Sequence, residues 1–337
     1  MIKLREASTA LAGTNWVQSG MPAFMWESLC VTPTGRIIAG GGNNRGIRYS
    51  DDNGETWNTP IQASSTWESL CVTPTGRVII GSGGNDTGIW YSDDNCETWA
   101  QSNKTNGFWK ALYVTPTGRI IAGNSDGAVG GIWYSDDNGV NWTQSNKTAG
   151  AWHSLCVTPT GRIIAGSGNS SGEGIWYSDD NGINWTRSSK TGGTWRALCV
   201  TSTGRIIASM DRDSIWYSDD NGINWTRSNG PVGYYWWALC VTPIGRIIAC
   251  PDNTGIWYSD DNGVNWAQSN KTNGSWYSLC VTPTGRAIAG GNSNGIWYSD
   301  SEVIAAKNAR EKYLDQKGAQ EIVTQFKAYC ASLVGGA

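Results

Sequence analysis

The sequence has few of the residues that build metal centres or strongly charged surfaces. His153 is the only histidine, and no two of the nine cysteines have the C-x-x-C spacing of a zinc site. Lysine and arginine, 25 together, nearly balance 28 aspartates and glutamates, so the formal net charge is only −3. We therefore expect no metal and no nucleic-acid partner, and nothing in the sequence predicts another cofactor.

Long apolar segments are missing as well. No run approaches the roughly 20 apolar residues that a membrane-spanning helix needs. The opening residues, MIKLREASTALAG, lack the apolar centre of a secretory signal. We therefore expect no membrane insertion, and synthesis in a cytoplasm, where cysteine thiols stay reduced.

The sequence does contain one phrase repeated seven times. The phrase W-x-[SA]-L-[CY]-V-T begins at Trp26 and returns about every 40 residues, as in propeller blades. Each copy reads as four short strands; in the copy that begins at Trp152 the turns between them include TPTG at 158–161 and DDNG at 179–182. Cysteine fills the fifth position of six copies and is interpreted as a small core residue. The pattern predicts an all-β chain folded as a seven-bladed β-propeller of four-stranded blades.

A second repeated motif links the third and fourth strands of each copy. It has the form Ser-x-Asp-x-Gly-x-x-Trp, first as Ser50, Asp52, Gly54 and Trp57, and it resembles the Asp-box (BNR repeat) of sialidases and related β-propellers. The resemblance implies a structural role, in which the aspartate holds the turn and the tryptophan packs between strands. A calcium site is the weaker interpretation, because so short a loop offers too few oxygens. Further copies start at Ser135, Ser178, Ser218 and Ser259.

Two copies of the box depart from this pattern. Cys96 replaces the glycine of the second box, which should strain its turn. The seventh box stops at Asp300-Ser301, before its glycine. The missing outer strand has a candidate at the other end of the chain, because residues 15–20 (NWVQSG) match the outer-strand phrase NWTQSN of residues 141–146. We predict that residues 13–20 complete blade seven and close the ring, within a propeller domain of residues 1–300.

The remaining residues, 301–337, form a C-terminal tail of different composition. They contain no tryptophan and are predicted to form a short α-helical tail, with helices at 302–315 and 319–333 separated by Lys317-Gly318. The second helix would carry an apolar stripe that something must cover. Capping of the ring is one interpretation and homo-oligomer formation through these helices is another. The stripe consists of Ile322, Val323, Phe326, Tyr329, Cys330 and Leu333.

The tail also resembles a C-terminal segment of tail and receptor-binding proteins from phages of gut Firmicutes. The resemblance rests on Tyr313-Leu314-Asp315-x-x-Gly318 followed by Phe326-Lys327-x-Tyr329. Ala319 departs from the leucine of that segment, and its tryptophan after the phenylalanine is absent. The resemblance implies a host-surface recognition head on a virion or tail-like particle.

One position varies far more than the rest of the repeat. It follows the strand-opening tryptophan, which places it near the central channel, and it holds six residue types in seven copies. Loops on the same face vary too, whereas the TPTG and SDDNG turns on the opposite face are monotonous. Drift would favour small polar residues, but this set is rich in the side chains of binding hot spots. The predicted ligand-binding residues are Glu27, Glu68, Lys110, His153, Arg196, Trp237 and Tyr277.

The 21 tryptophans are mostly interpreted as packing residues. A strand-opening ring beside a polar loop could also stack on a pyranose, so Trp236 and Trp276 join the predicted ligand-binding set. Sialidase-like hydrolysis is disfavoured, because the arginines of the repeat recur sevenfold and the unrepeated charges show no acid/base pair. We expect no catalytic residues, and a lectin-like or adhesion module that binds a cell-surface glycan or glycoprotein. A protein-interaction or assembly scaffold is the alternative, and a glycosidase is the third.

Removing residues 1–20 tests the predicted closure. Without an outer strand in blade seven the ring would expose a sheet edge, so the melting temperature should fall by many degrees. Circular dichroism melts of the full and shortened chains measure this, and an unchanged melt would refute the closure.

Overall fold

The computed structural model describes residues 12–59, 65–84, 88–126, 130–168 and 172–300. These residues form seven antiparallel sheets arranged as a seven-bladed β-propeller, which confirms the predicted all-β fold and blade number. Six sheets have four strands; the first has three and a single bridge between Tyr49 and Asn58 in place of the fourth. Nowhere in the described ranges is there a helix with the length and apolarity that crossing a lipid bilayer requires. The predicted tail helices, 302–315 and 319–333, lie outside the described residues.

The four strand positions of each blade are named in order from the central channel outward. The blades are numbered one to seven by their inner strands. The inner strands are Trp26–Val31, Trp67–Val72, Trp109–Val114, Trp152–Val157, Trp195–Val200, Trp236–Val241 and Trp276–Val281. The second strands are Ile37–Gly41, Val78–Ser82, Ile120–Asn124, Ile163–Ser167, Ile206–Met210, Ile247–Pro251 and Ala287–Gly291. The third strands are Ile47–Ser50, Ile89–Ser92, Gly131–Ser135, Ile175–Ser178, Ile215–Ser218, Trp257–Ser259 and Ile296–Ser299. The outer strands are Trp16–Gln18, Ala100–Gln101, Thr143–Gln144, Thr186–Arg187, Thr226–Arg227 and Ala267–Gln268.

The hydrophobic core lies between neighbouring blades. Ile121 and Ile132 of blade three, for example, share one buried cluster with Trp152 and Ile163 of blade four. Such burial of apolar surface is the main stabilising contribution to the ring. Polar contacts accompany it: the Ser154 hydroxyl donates to a carbonyl oxygen of the next blade, that of Trp195, at 3.1 Å. Each blade therefore buries its apolar faces against its neighbours.

The Asp-box turns have the structural role that the resemblance implies. In blade four the Ser178 hydroxyl donates to Asp180 (2.9 Å), and the same carboxylate accepts from the amide of Asn184 (2.8 Å). The Gly182 amide donates to the Ser178 hydroxyl (2.9 Å), and its carbonyl accepts from the Trp185 indole (3.1 Å). The aspartate thus satisfies turn amides, as expected for an Asx side chain.

A repeated arginine links each blade to the next. Arg162 pairs with Asp179 of its own blade (2.6 Å) and donates from Nη1 to the Asn221 carbonyl of the following blade (3.1 Å). Its guanidinium also lies 4.2 Å from the centre of the Tyr177 ring. These contacts explain why the arginine recurs in every copy. The equivalent donors to a carbonyl of the next blade are Arg36, Arg77, Arg119, Arg205, Arg246 and Arg286.

Both ends of the described chain meet in blade seven. Trp16–Gln18 pairs antiparallel with Ile296–Ser299, which gives that sheet its fourth strand. The N-terminal segment also supplies the second half of the interrupted Asp-box, because the Trp16 indole donates to the Gly13 carbonyl at 3.0 Å. Arg246 then donates to the Ala12 carbonyl at 3.1 Å, as its equivalents do in other blades. Two distant segments therefore reproduce one repeat unit.

The described cysteines are free thiols, in agreement with their interpretation as core residues. Cys330 lies outside the described residues. Cys96 is fully buried and has φ +74°, the left-handed region in which an L residue costs roughly 1–2 kcal/mol. Val78, in the same buried cluster, stands where most other blades have isoleucine, which leaves more room for the Cys96 side chain.

The two ends of the ring differ as the sequence predicts. TPTG turns and Asp-box residues meet on one face, where Pro33, Thr34, Asp51 and Asn53 line a single depression. The variable residues of the inner strands gather at the opposite mouth of the channel. The first surface is called the repeated face below and the second the varied mouth.

Alanine substitutions at Gly139 and Gly118 test how tightly the Asp-box glycine packs against the core between two blades. Both have a positive φ, +88° and +86°, but a Cβ at Gly139 would lie 2.6 Å from Ile79 whereas Gly118 has nothing within 4 Å. Gly118→Ala should cost roughly 1–2 kcal/mol from the backbone alone. Gly139→Ala should cost about 1–3 kcal/mol more because it overpacks the core. Urea unfolding of both variants measures the difference, and equal losses would contradict the packing role.

Candidate binding site at the varied mouth

The seven variable residues of the inner strands converge at one end of the channel. Alternate residues of each inner strand face the axis, so the residue after the opening tryptophan reaches the mouth. Together they line a cavity of about 90 Å³, above a space of about 190 Å³ that ends on leucines of the inner strands. The structure therefore brings together Glu27, Glu68, Lys110, His153, Arg196, Trp237 and Tyr277.

One side of the mouth is charged. Lys110 lies 2.6 Å from Glu68 Oε1, and the Glu68 side chain is only 11% exposed. The other carboxylate oxygen, Oε2, is buried and has no hydrogen-bond partner among the described residues. Burial raises the pKa of Glu27, against the attraction of Lys110, and the nearby Glu68 raises it further. Glu27 and Glu68 thus both lie near Lys110, in a site that is partly shielded from water.

Arg196 connects the charged side of the mouth to its aromatic side. Its Nε donates to both oxygens of Asp211, at 2.6 and 2.7 Å. Its guanidinium also lies 4.0 Å from the centre of the Trp237 ring. Burial raises the pKa of Asp211, and the arginine opposes that shift. The arginine is therefore held in place by the Asp211 carboxylate and the Trp237 indole.

Trp237 and Tyr277 form an aromatic pair on the other side. Their ring centres are 4.6 Å apart with the planes tilted by 55°. Asn292 donates to the Tyr277 hydroxyl at 3.1 Å, which fixes that ring. The Trp237 indole nitrogen is buried and finds no acceptor within the described ranges. The pair therefore offers apolar ring surface at the mouth.

His153 lies between two cations. Its pKa is lowered to about 3, chiefly by burial and further by Lys110 and Arg196, so the imidazole is neutral at neutral pH. Gly168 lets the ring lie against the loop that follows the second strand, because a Cβ there would come within 2.1 Å of the imidazole. The described residues contain no group of three His, Cys, Asp or Glu side chains arranged to hold a metal ion.

The stacking role predicted for Trp236 and Trp276 requires a correction. Both side chains are 0% exposed, so neither ring can reach a ligand. Trp236 packs against Trp266 and Trp276 against Trp297, with ring centres 6.4 and 6.0 Å apart. The physical reason is the pleat of the strand: it turns the variable residue to the channel and the tryptophan before it into the blade interface.

The sequence also left several residues of the varied end unassigned. Asp211 was visible only as one of a few unrepeated charges, and its partner Arg196 is 15 residues away in the sequence.

A second missed feature is a lysine over a third-strand tryptophan at four blade junctions. The lysine covers the ring and links neighbouring blades. Its signal was the recurring SNKT or SSKT phrase opposite a recurring IWYS strand. The pairs are Lys104–Trp133, Lys147–Trp176, Lys190–Trp216 and Lys271–Trp297, at 3.2 to 4.0 Å.

Comparison with known proteins identifies the repeat and the fold. Residues 48–59, 176–187 and 216–227 match the BNR/Asp-box repeat. No curated protein sequence matches the chain.

Three solved structures illustrate the likeness in fold. YCF48 from Cyanidioschyzon merolae has a TM-score of 0.65 and 14% identity, over 85% of this chain and 98% of that one. "YCF48 bound to D1 peptide" has a TM-score of 0.65 and 18% identity, over 88% and 99% of the two chains. The GH74 enzyme of Niastella koreensis has a TM-score of 0.64 and 17% identity, over 84% of this chain and 44% of the enzyme. Likeness at such low identity shows the fold alone.

The half-buried, neutral His153 predicts how stability depends on pH. Its folded pKa of about 3 lies below its ordinary value of 6.5, so between these values the unfolded chain binds a proton that the folded chain does not. His153 therefore lowers stability as pH falls through this window, by up to about 1.4 kcal/mol per pH unit. We expect the free energy of unfolding of the native protein, relative to His153→Gln, to decrease from pH 7 to pH 4. Urea titrations at several pH values measure it; a constant difference would show that the imidazole is not buried neutral.

Proposed function

We propose that this seven-bladed β-propeller with BNR/Asp-box repeats is a non-catalytic recognition module that binds surface carbohydrate at the varied mouth. The main support is the contrast within each repeat. The positions that join blades are kept nearly constant, whereas the one position that reaches the mouth holds six residue types and collects in a single cavity. Diversity confined to one mouth of a rigid ring is typical of a recognition surface.

The chemistry of the mouth suits a sugar. Trp237 and Tyr277 supply ring surface for the apolar face of a pyranose, and Arg196 and the carboxylates supply partners for its hydroxyls. The cavity of about 90 Å³ is smaller than the roughly 300–1,000 Å³ of sites that enclose a whole ligand. The mouth is therefore suited to reading one exposed unit at the end of a larger glycan.

The setting of this recognition belongs to the same proposal. The resemblance of the C-terminal tail to segments of phage tail and receptor-binding proteins supports a host-surface role, with a cell-surface glycan or glycoprotein as the partner. The propeller would then be the recognition head of a tail-like or adhesive particle.

Protein recognition is the second candidate. It is favoured by the structure titled "YCF48 bound to D1 peptide", whose fold is similar to this one. A peptide carboxylate or an acidic side chain would meet Arg196 and Lys110 at the mouth.

Hydrolysis is the third candidate, and one observation favours it. Glu27 and Glu68 line the same cavity, and their environments differ: burial raises the pKa of Glu27, whereas Glu68 is paired with Lys110. An acid and a carboxylate in one site are the parts that a glycosidase needs. The pairing of Glu68 with Lys110 weighs against a free nucleophile or base.

Binding measurements on a glycan array, followed by calorimetry on any hit, test the proposal. Trp237→Ala and Tyr277→Ala should each weaken binding by about tenfold, because each removes one ring of the aromatic pair. Tyr235→Ala is the matched control, since Tyr235 is an aromatic residue outside the cavity lining, and it should bind as the native protein does.

Two outcomes would contradict carbohydrate recognition without catalysis. Binding to peptides alone, with no glycan on the array, would favour the second candidate. Release of a fluorophore from aryl glycosides, lost in Glu27→Gln, would favour the third.

A further inference from the structure

The channel opens at the repeated face into a wide apolar cavity, called the cup below. It has a volume of about 1050 Å³ and is lined by the V-T-P phrase of the seven units, from residues 31–33 to residues 281–283, with Ser202 in place of one proline. No charged side chain lines it. Its size is at the upper end of the usual range for ligand-binding cavities.

The threonines of the cup do not make it polar. The Thr32 hydroxyl is hydrogen-bonded to the Thr34 hydroxyl at 2.9 Å, and it also accepts from the Arg36 amide at 3.1 Å. Most of the other turns repeat the hydroxyl pair, as Thr158 and Thr160 do at 2.9 Å. These hydroxyls are occupied within their own turns, so the cup presents mainly methyl groups and proline rings to an occupant.

In blade six an apolar residue replaces one of these threonines. Ile244 replaces the outer threonine of the turn, and its side chain is 58% exposed at the repeated face. The replacement leaves the Thr242 hydroxyl without a hydrogen-bond partner among the described residues. Ile244 therefore adds exposed apolar surface beside the cup at the point where the other blades have a hydrogen-bonded threonine.

The described chain ends close to this rim. In blade seven Val281, which lines the cup, pairs with Ala287, and the Ala287 amide donates to the Ser299 hydroxyl at 3.0 Å. Ser299 is therefore two strands from the cup, or about 10 Å at the usual strand spacing. Blade six, which carries Ile244, is the neighbour of blade seven, and residues 301–337 continue from this point.

We propose that the apolar stripe of residues 319–333 docks in the cup and against Ile244. Residues 301–337 lie outside the described ranges and enter here through their sequence alone. The stripe contains Ile322, Phe326 and Leu333, which match an uncharged apolar cavity. The intervening residues 301–318 can span up to roughly 60 Å when extended, far more than the distance to the cup. Tethering raises the local concentration of the stripe to about the millimolar range, which favours it over a partner in solution.

The proposal does not depend on what the varied mouth binds. The same cup filled by the tail of a second copy is a different arrangement, and the experiment distinguishes the two.

Disulfide trapping in the full chain tests the docking through Cys330, which belongs to the stripe. Ser202→Cys places an exposed thiol in the cup, and Thr191→Cys places one in an exposed loop at the varied end as a matched control. A disulfide forms only when two Cα atoms approach within about 7 Å. After mild oxidation, intact-mass and peptide mapping should show an intramolecular bond to Cys330 at least about tenfold more in Ser202→Cys than in the control.

Cys330→Ser, added to either variant, should abolish the product. This control excludes the other cup thiols, Cys156 and Cys199, of which the first is buried and the second half-buried. Equal yields at positions 202 and 191 would overturn the proposal, and so would a product that is entirely intermolecular.

Ile244→Thr provides a second test that leaves the turn intact. It restores the residue found in the other copies and a partner for the Thr242 hydroxyl, so the fold should not suffer. Loss of the apolar rim contact should lower the trapping yield of Ser202→Cys by about threefold or more. An unchanged yield would contradict docking against this rim.

Discussion

Every blade buries its apolar faces against two neighbours, so the ring holds together only if the seventh interface closes. The clusters that form the core each join two blades, and the repeated arginine donates across the same junctions. At the seventh blade the N-terminal segment supplies the outer strand, the Gly13 carbonyl and the Ala12 carbonyl that other blades supply from within one copy. Closure thus reuses the contacts of an ordinary blade, which avoids a free sheet edge.

This constraint explains where the sequence is free to change. A residue that faces a neighbouring blade must fit two surfaces, and the glycine of the Asp-box illustrates how little room remains there. A residue that opens onto the varied mouth meets the cavity, the matching residues of other blades and the varied loops, as Arg196 meets Asp211. Glu68, Arg196 and Trp237 therefore share one position of the repeat and yet have different chemistry.

Much of the fold and part of the site could be predicted from the sequence. The turn signals and the period of the repeat gave the strands and the blade number, because both are local or periodic features. Position in the repeat also identified the seven residues of the mouth. The sequence did not show which way a side chain points. It therefore assigned Trp236 and Trp276 to the ligand-binding set, although the pleat of the strand buries both. It also missed Asp211, because a pairing across a loop of irregular sequence has no periodic signal.

The sequence by itself determined the number of blades, the chemistry of their turns and the position that varies between copies. Only the tertiary structure decided which variable residues become partners. Lys110 meets Glu68, Trp237 lies beside Arg196 and Tyr277 beside Trp237. Each pair is about one repeat apart along the chain, and it is the curvature of the closed ring that brings neighbouring inner strands together at the channel. Contacts of that kind depend on the angle between blades, which no single repeat encodes.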